Sequence, residues 1–169
     1  MKTILDIAQV VLIGAGATAV MDVWLEVRKR MGVKALDFAL VGRWIGSMPR
    51  GEFVHAAIAQ ARPVSGERAL GWLTHYVVGI AYAGLLVAIA GPEWVRHPTW
   101  LPALAVGAAT VVAPLFLMQP AMGAGFAASR TPSPLKSCLR SLLNHTVFGA
   151  GLYLTAAAVD AILRLLPAR

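Results

Sequence analysis

Charge is what this chain has least of. Asp, Glu, Lys and Arg make up 14% of its 169 residues, against 58% hydrophobic, whereas a soluble domain carries about 25% charged residues. That scarcity, with a mean hydropathy of +0.69, points to an integral membrane protein in contact with the lipid bilayer. Acid is scarcer than base, 8 residues against 15, for a net charge of +7. No basic stripe with interleaved aromatics accompanies the excess, so a nucleic-acid partner is not expected. Cysteine is nearly missing too: Cys138 stands alone, forms no internal disulfide and says nothing of an oxidising compartment. Also missing are a nucleophile elbow, a glycine-rich phosphate loop and a spaced Cys ligand set, which leans the reading away from an enzyme. Acid–base chemistry by His and Asp stays open, because residues distant in sequence can meet.

What is present is apolar length. A hydrocarbon core of about 30 Å needs about 20 apolar residues per helix, and the chain offers four such stretches, at about 4–27, 69–90, 101–123 and 139–163. The expected fold is all-α, a single membrane domain over 1–169 built as a four-transmembrane-helix bundle. In the first stretch Lys2 is the only preceding base while Arg28-Lys29-Arg30 follows, a charge order inverted for a secretory signal. The third stretch is uncharged from Pro98 to Ser129 and carries Pro114 and Pro120. Irregular backbone is therefore expected around Met118-Gln119-Pro120, and its freed carbonyls need partners.

The long connection 28–68 is patterned. Phe38, Val41, Ile45 and Met48 recur at helical spacing, and Phe53, Ala57 and Ala61 repeat it before Pro63. This predicts a cytoplasmic amphipathic helical pair between the first two spans, lying on the headgroups with Trp44 as anchor. A lid over a cavity is the alternative. All 15 Lys and Arg except Lys2, Arg96, Arg164 and Arg169 fall within Arg28–Arg68 and Arg130–Arg140. The positive-inside rule then puts those loops in the cytoplasm and both termini outside.

Polar residues inside the spans mark a candidate site. At 1.5 Å per residue, counting inward from Arg28, Arg68 and Arg140 puts Asp22, His75 and His145 about 8 to 10 Å inside one boundary. Gln119 and Asn144 fall in the same layer, and Glu26, Arg43 and Arg130 are expected at its rim. Ionisable groups in hydrocarbon pair or face a wet cavity, so these residues should point into the bundle. An internal echo reinforces the idea: His75 precedes Gly79 as His145 precedes Gly149, and Gly14-to-Thr18 aligns loosely with Gly107-to-Thr110, as in a tandem repeat.

Three functions fit such a centre. The first is transport or permeation of a proton or small solute, with Asp22 and the two His carrying protons. The second is a redox protein binding haem through His75 and His145, or a soft metal with Met118 and Met122 added. The third is a non-catalytic accessory subunit, or a homo-oligomer, joined to partners in a membrane complex through small-residue helix faces.

Ala17-Thr18 with Met21-Asp22, Gly42-Arg43-Trp44, Gly71-Trp72 with His75-Tyr76, Met118-Gln119-Pro120 with Met122-Gly123, and Asn144-His145 with Phe148-Gly149 and Gly151-Leu152-Tyr153 together carry a resemblance. The chain resembles an uncharacterised family of small four-helix bacterial inner-membrane proteins, a domain of unknown function. That resemblance implies a four-helix membrane fold and no particular chemistry.

Overall fold

Charge-free sequence becomes helix almost throughout. The computed structural model describes residues 2–33 and 36–165, with side chains from Asp6 onward; Lys34, Arg169 and the Lys2 side chain, all counted in the charge distribution, lie outside it. Helices α1 (Lys2–Arg30), α2 (Phe38–Ser47), α3 (Glu67–Ala90), α4 (Trp100–Ala109), α5 (Gln119–Ala121) and α6 (Pro134–Leu165) follow in order, with no strand among the described residues. Four stretches, Asp6–Arg30, Glu67–Ala90, Trp100–Ala121 and Pro134–Leu165, are long and apolar enough to cross a membrane, as fits a multi-pass membrane protein. Asp160 and Arg164 close an i, i+4 pair at 2.9 Å near the end of α6.

Local chemistry sets the ends. Helix α3 starts after Gly66 and stops at Gly91, both at positive φ, and Pro92 follows. Helix α6 begins at Pro134, inside what the sequence reads as a turn, because proline fits a first helical turn whose N–H would be unpaired anyway. The third span breaks as its prolines require. Pro114 cannot donate to the Thr110 carbonyl, which takes Ala113 N–H at 3.2 Å instead, and Pro114–Met118 widens into a π-helical turn before α5.

Small residues assemble the bundle. Helix α1 packs against both α3 and α6, and α4 packs mainly against α6 and touches α3. Gly14 abuts Gly79 and Ile80, Gly151 abuts Ala17, and Gly107 abuts Gly149, each so closely that a Cβ would meet backbone. Lipid gives helices no hydrophobic reason to associate, so such close approach supplies dispersion contact in its place. The two crossings echo each other. Thr18 donates to the Gly14 carbonyl at 2.8 Å beside Gly79, and Thr110 donates to the Gly107 carbonyl at 2.6 Å beside Gly149. Toward the α3–α4 connection the bundle is tight, with Ile13, Ala17, Leu86, Leu152 and Ala156 almost wholly buried.

The connection between α1 and α3 corrects one expectation. Helix α2 forms, capped by Asp37 on Ala39 N–H at 2.9 Å, but the second member of the amphipathic pair does not. After Gly51 at φ +80, residues 52–57 contain no helix and only a short 3-10 turn, Ile58–Gln60, follows. The reason lies across the molecule. His55 N–H donates to the Ala121 carbonyl at 2.8 Å and Ile58 N–H to the Met122 carbonyl at 3.1 Å. The carbonyls beyond the broken third span thus recruit the connection as a partner, which holds it extended. Helix α2 itself packs on α3, Gly42 against the Glu67 carbonyl and Gly71 against that of Phe38, so it lies on the bundle rather than alone on headgroups.

Candidate functional site

Beneath α2 the helices separate around a cavity of about 660 Å³. Helix α1 contributes Thr18, Met21, Leu25 and Arg28, residues three or four apart and so on one face. Helix α6 contributes a matching stripe that includes Arg140, Asn144, His145 and Phe148. His75 and Tyr82 come from α3, Met118 and Gln119 from the irregular third span, and Phe38, Val41 and Trp44 from α2 as a roof.

Asp22 does not itself line the cavity; it anchors the His75 ring that does. His75 Nε2 lies 2.9 Å from its Oδ1, and the Tyr76 hydroxyl donates to its Oδ2 at 3.0 Å. A carboxylate accepts both bonds, so His75 carries its proton on Nε2 and presents Nδ1 elsewhere. Phe38 of the roof stacks on the same ring, with centroids 4.3 Å apart. Side chains of His75 and Asp22 are 11% and 18% exposed, so this polar cluster is largely withdrawn from the protein surface.

His145 is held differently. Its Nδ1 sits 2.8 Å from Thr110 Oγ1, which is also 2.6 Å from the Gly107 carbonyl. A carbonyl only accepts, so the single hydroxyl hydrogen goes to Gly107 and His145 must donate from Nδ1. Nε2 is left as a lone-pair nitrogen on a residue lining the cavity. Thus the echoed histidines share a position but not a partner: His75 reaches the carboxylate of α1, while His145 reaches the threonine of α4.

Asn144 joins α6 to α1. Its Oδ1 accepts from Arg28 Nη1 at 2.7 Å and from Trp24 Nε1 at 3.2 Å, and the guanidinium lies 5.9 Å from the Trp24 ring centroid, within cation–π reach. Gln119 and Met122 line the cavity beside Met118, and Gln119 Oε1 is buried with no partner among the described residues. His75, His145, Met118 and Met122 therefore border one space. No group of three or more His, Cys, Asp and Glu suited to a metal occurs among the described residues.

The expected rim is corrected. None of Glu26, Arg43 and Arg130 lines the cavity. Glu26 pairs outward with Lys29 at 3.8 Å and Arg30 at 3.0 Å, since an i, i+3 and i, i+4 partner is nearer than any site. Arg130 is exposed. Arg43 is a strap: it grips both Glu67 oxygens at 2.8 Å and donates to the Ala59 and Ala61 carbonyls at 3.2 and 3.1 Å. Its hydrogen bonds to Glu67 raise its pKa above the ordinary arginine value despite desolvation. Sequence reasoning missed Arg28, Arg140, Thr110 and Tyr76. The first two serve there as membrane boundaries; Thr110 stands one helical turn after Gly107, and Tyr76 stands next to His75.

No curated protein and no solved structure matches the chain. A family model described as a protein of unknown function, DUF2938, matches residues 11–159. That range runs from the first third of α1 to near the end of α6 and includes every cavity residue. The chain belongs to the DUF2938 family.

Proposed function

We propose that this chain is a small-solute carrier of the bacterial inner membrane, which binds its solute in the cavity under α2 as one step of transport. The cavity itself carries the reading. Its volume, about 660 Å³, lies within the roughly 300 to 1,000 Å³ of small-molecule sites, and its wall has their character: mostly apolar, with a few converging polar groups. Chief among those groups are Arg28, His75, Gln119, Arg140, Asn144 and His145.

The cavity is one-sided. It lies at the end of the bundle bearing the basic loops, which the positive-inside rule assigns to the cytoplasm, and the buried layer of Ile13, Leu86 and Leu152 closes the other end. Passage across the membrane thus needs a second state in which that layer parts, as in alternating access. The Asp22–His75 pair is the proton-handling element of such a cycle, being two ionisable groups in contact inside the spans.

One observation favours a second reading. His145 lines the cavity and donates from Nδ1, which leaves the Nε2 lone pair available, the tautomer in which histidine ligates a metal or haem iron. Native mass spectrometry of the detergent-solubilised chain separates the two readings. With monolaurin as probe, one adduct per chain is expected, lost in Ser141→Trp, whose indole would occupy the cavity. A porphyrin-mass adduct with a Soret band would instead select haem. Identical monolaurin adducts in wild type and Ser141→Trp would mean surface attachment and sink the carrier reading.

A further inference from the structure

The cavity is graded in a way that names its ligand. Along α1 the wall runs from Thr18 to Arg28, and along α6 from Phe148 to Arg140. At 1.5 Å per residue these stripes are about 12 to 15 Å long, and both carry an arginine near the loop-side mouth, with Ser137 one turn beyond Arg140 on α6. Inward of the arginines the wall is mostly apolar, with Leu25 and Met21 on α1 and Phe148 on α6, while Ser141, Asn144 and His145 form a polar edge along α6. The wall contains no Asp or Glu. Asp22 is engaged by His75 and Tyr76, and Glu67 by Arg43.

Neither mouth arginine has a carboxylate partner among the described residues. Lys29, Arg30, Arg43, Arg50, Arg96 and Arg164 all do; Arg62, Arg68, Arg130 and Lys136 are unpaired among the described residues too, but they are exposed to solvent and do not line the cavity. Arg28 spends one N–H on Asn144, and a guanidinium has five. Asn144 in turn fixes that guanidinium in place with its amide oxygen, leaving the amide N–H groups beside it as further donors. Two half-buried cations without counter-ions, over a mostly apolar pocket about a dozen ångströms deep, are complementary to a negative head on a hydrocarbon tail.

We infer that the ligand is a single-chain anionic amphiphile, its head held by Arg28 and Arg140 and its tail between Met21, Leu25 and Phe148. The inference rests on the carrier reading and specifies its solute. In a bilayer the arginines lie at the interface and the tail space lies within hydrocarbon, so the ligand keeps the orientation it has in the leaflet. It enters sideways or from the loop face without inverting. A free fatty acid and a lysophospholipid share this chemistry.

The test uses the full chain in neutral detergent, with 9,10-dibromostearate as probe. Bromine quenches nearby tryptophan, and Trp44 roofs the cavity, so Trp44→Phe should remove most of the quenching. Laurate is expected to relieve quenching at roughly tenfold or more lower concentration than dodecyltrimethylammonium, since its carboxylate can accept charge-assisted hydrogen bonds from the two arginines and a quaternary ammonium cannot. Arg28→Gln with Arg140→Gln should erase that preference, and Arg28→Lys with Arg140→Lys should keep most of it, which separates lost charge from lost fold. Lysophosphatidylglycerol is run beside laurate, and the tighter competitor identifies the source of the head group. Equal displacement by anionic and cationic amphiphiles, or a preference that survives the double Gln variant, would overturn the inference and leave the cavity reading standing. If no amphiphile of any charge relieves quenching, the carrier reading falls with it.

Discussion

Gly107→Ala is expected to destabilise the protein by about 3 kcal/mol and Gly84→Ala to stabilise it slightly, although both make the same change inside an apolar span. By propensity alone alanine improves on glycine in a helix by about 0.5 to 1 kcal/mol. Position decides otherwise. A Cβ at Gly107 would overlap the backbone of Gly149, while the nearest atom to one at Gly84 is a Val10 methyl 3.9 Å away. Backbone cannot rotate aside as a side chain can, so α4 and α6 must part, and the cost is overpacking. Thermal melts in one detergent should show Gly107→Ala lowered by roughly 5 °C or more and Gly84→Ala unchanged or raised. His145 moves with that contact, since Thr110 and Gly107 hold its ring.

The second large effect concerns the strap. Glu67→Ala leaves Arg43 largely withdrawn from water with no counter-charge; the pair's side chains are 12% and 18% exposed. Breaking such a pair from one side costs about 3 kcal/mol, whereas Glu93→Ala, which removes a surface pair with side chains 52% and 74% exposed, should cost under about 1 kcal/mol. The damage should be local. Arg43 also ties down the chain around Ala59 and Ala61, so protease should cut the connection between α1 and α3 in Glu67→Ala before the four long helices melt. Replacing both partners with methionine should restore most of the stability, because no charge is then left behind.

These two positions mark what was legible in the sequence and what was not. The spans were readable because hydrocarbon demands uninterrupted apolar length, and the break near Pro114 because proline lacks the N–H that the ladder needs. The Gly-and-Thr echo was visible as letters and becomes two similar helix crossings in space. The stretch 53–61 misled because its apolar residues fall at helical intervals by composition, while its backbone answers to Ala121 and Met122, more than sixty residues away in sequence. Depth could be counted, but partners could not. Asp22 and His75 meet directly, whereas the partner of His145, Thr110, showed only as one letter of the Gly-to-Thr echo, with nothing to say that it would meet a histidine. Arg28 and Arg140 looked like boundary charges because that is where arginine usually stops a span. Only the packing of α1 on α6 shows both guanidinium groups bordering one cavity.

The central proposal is a one-sided cavity, open toward the basic loops and closed toward the α3–α4 connection, that takes a solute. Met118 lines it, and Cys138 is the chain's single cysteine. In a Cys138→Ala background, Met118→Cys can therefore be labelled alone with a membrane-impermeant maleimide, in sealed vesicles of either orientation. Labelling only from the face bearing the basic loops, slowed severalfold by laurate, is the expected result. Labelling from the opposite face, or at the same rate with and without laurate, would contradict it.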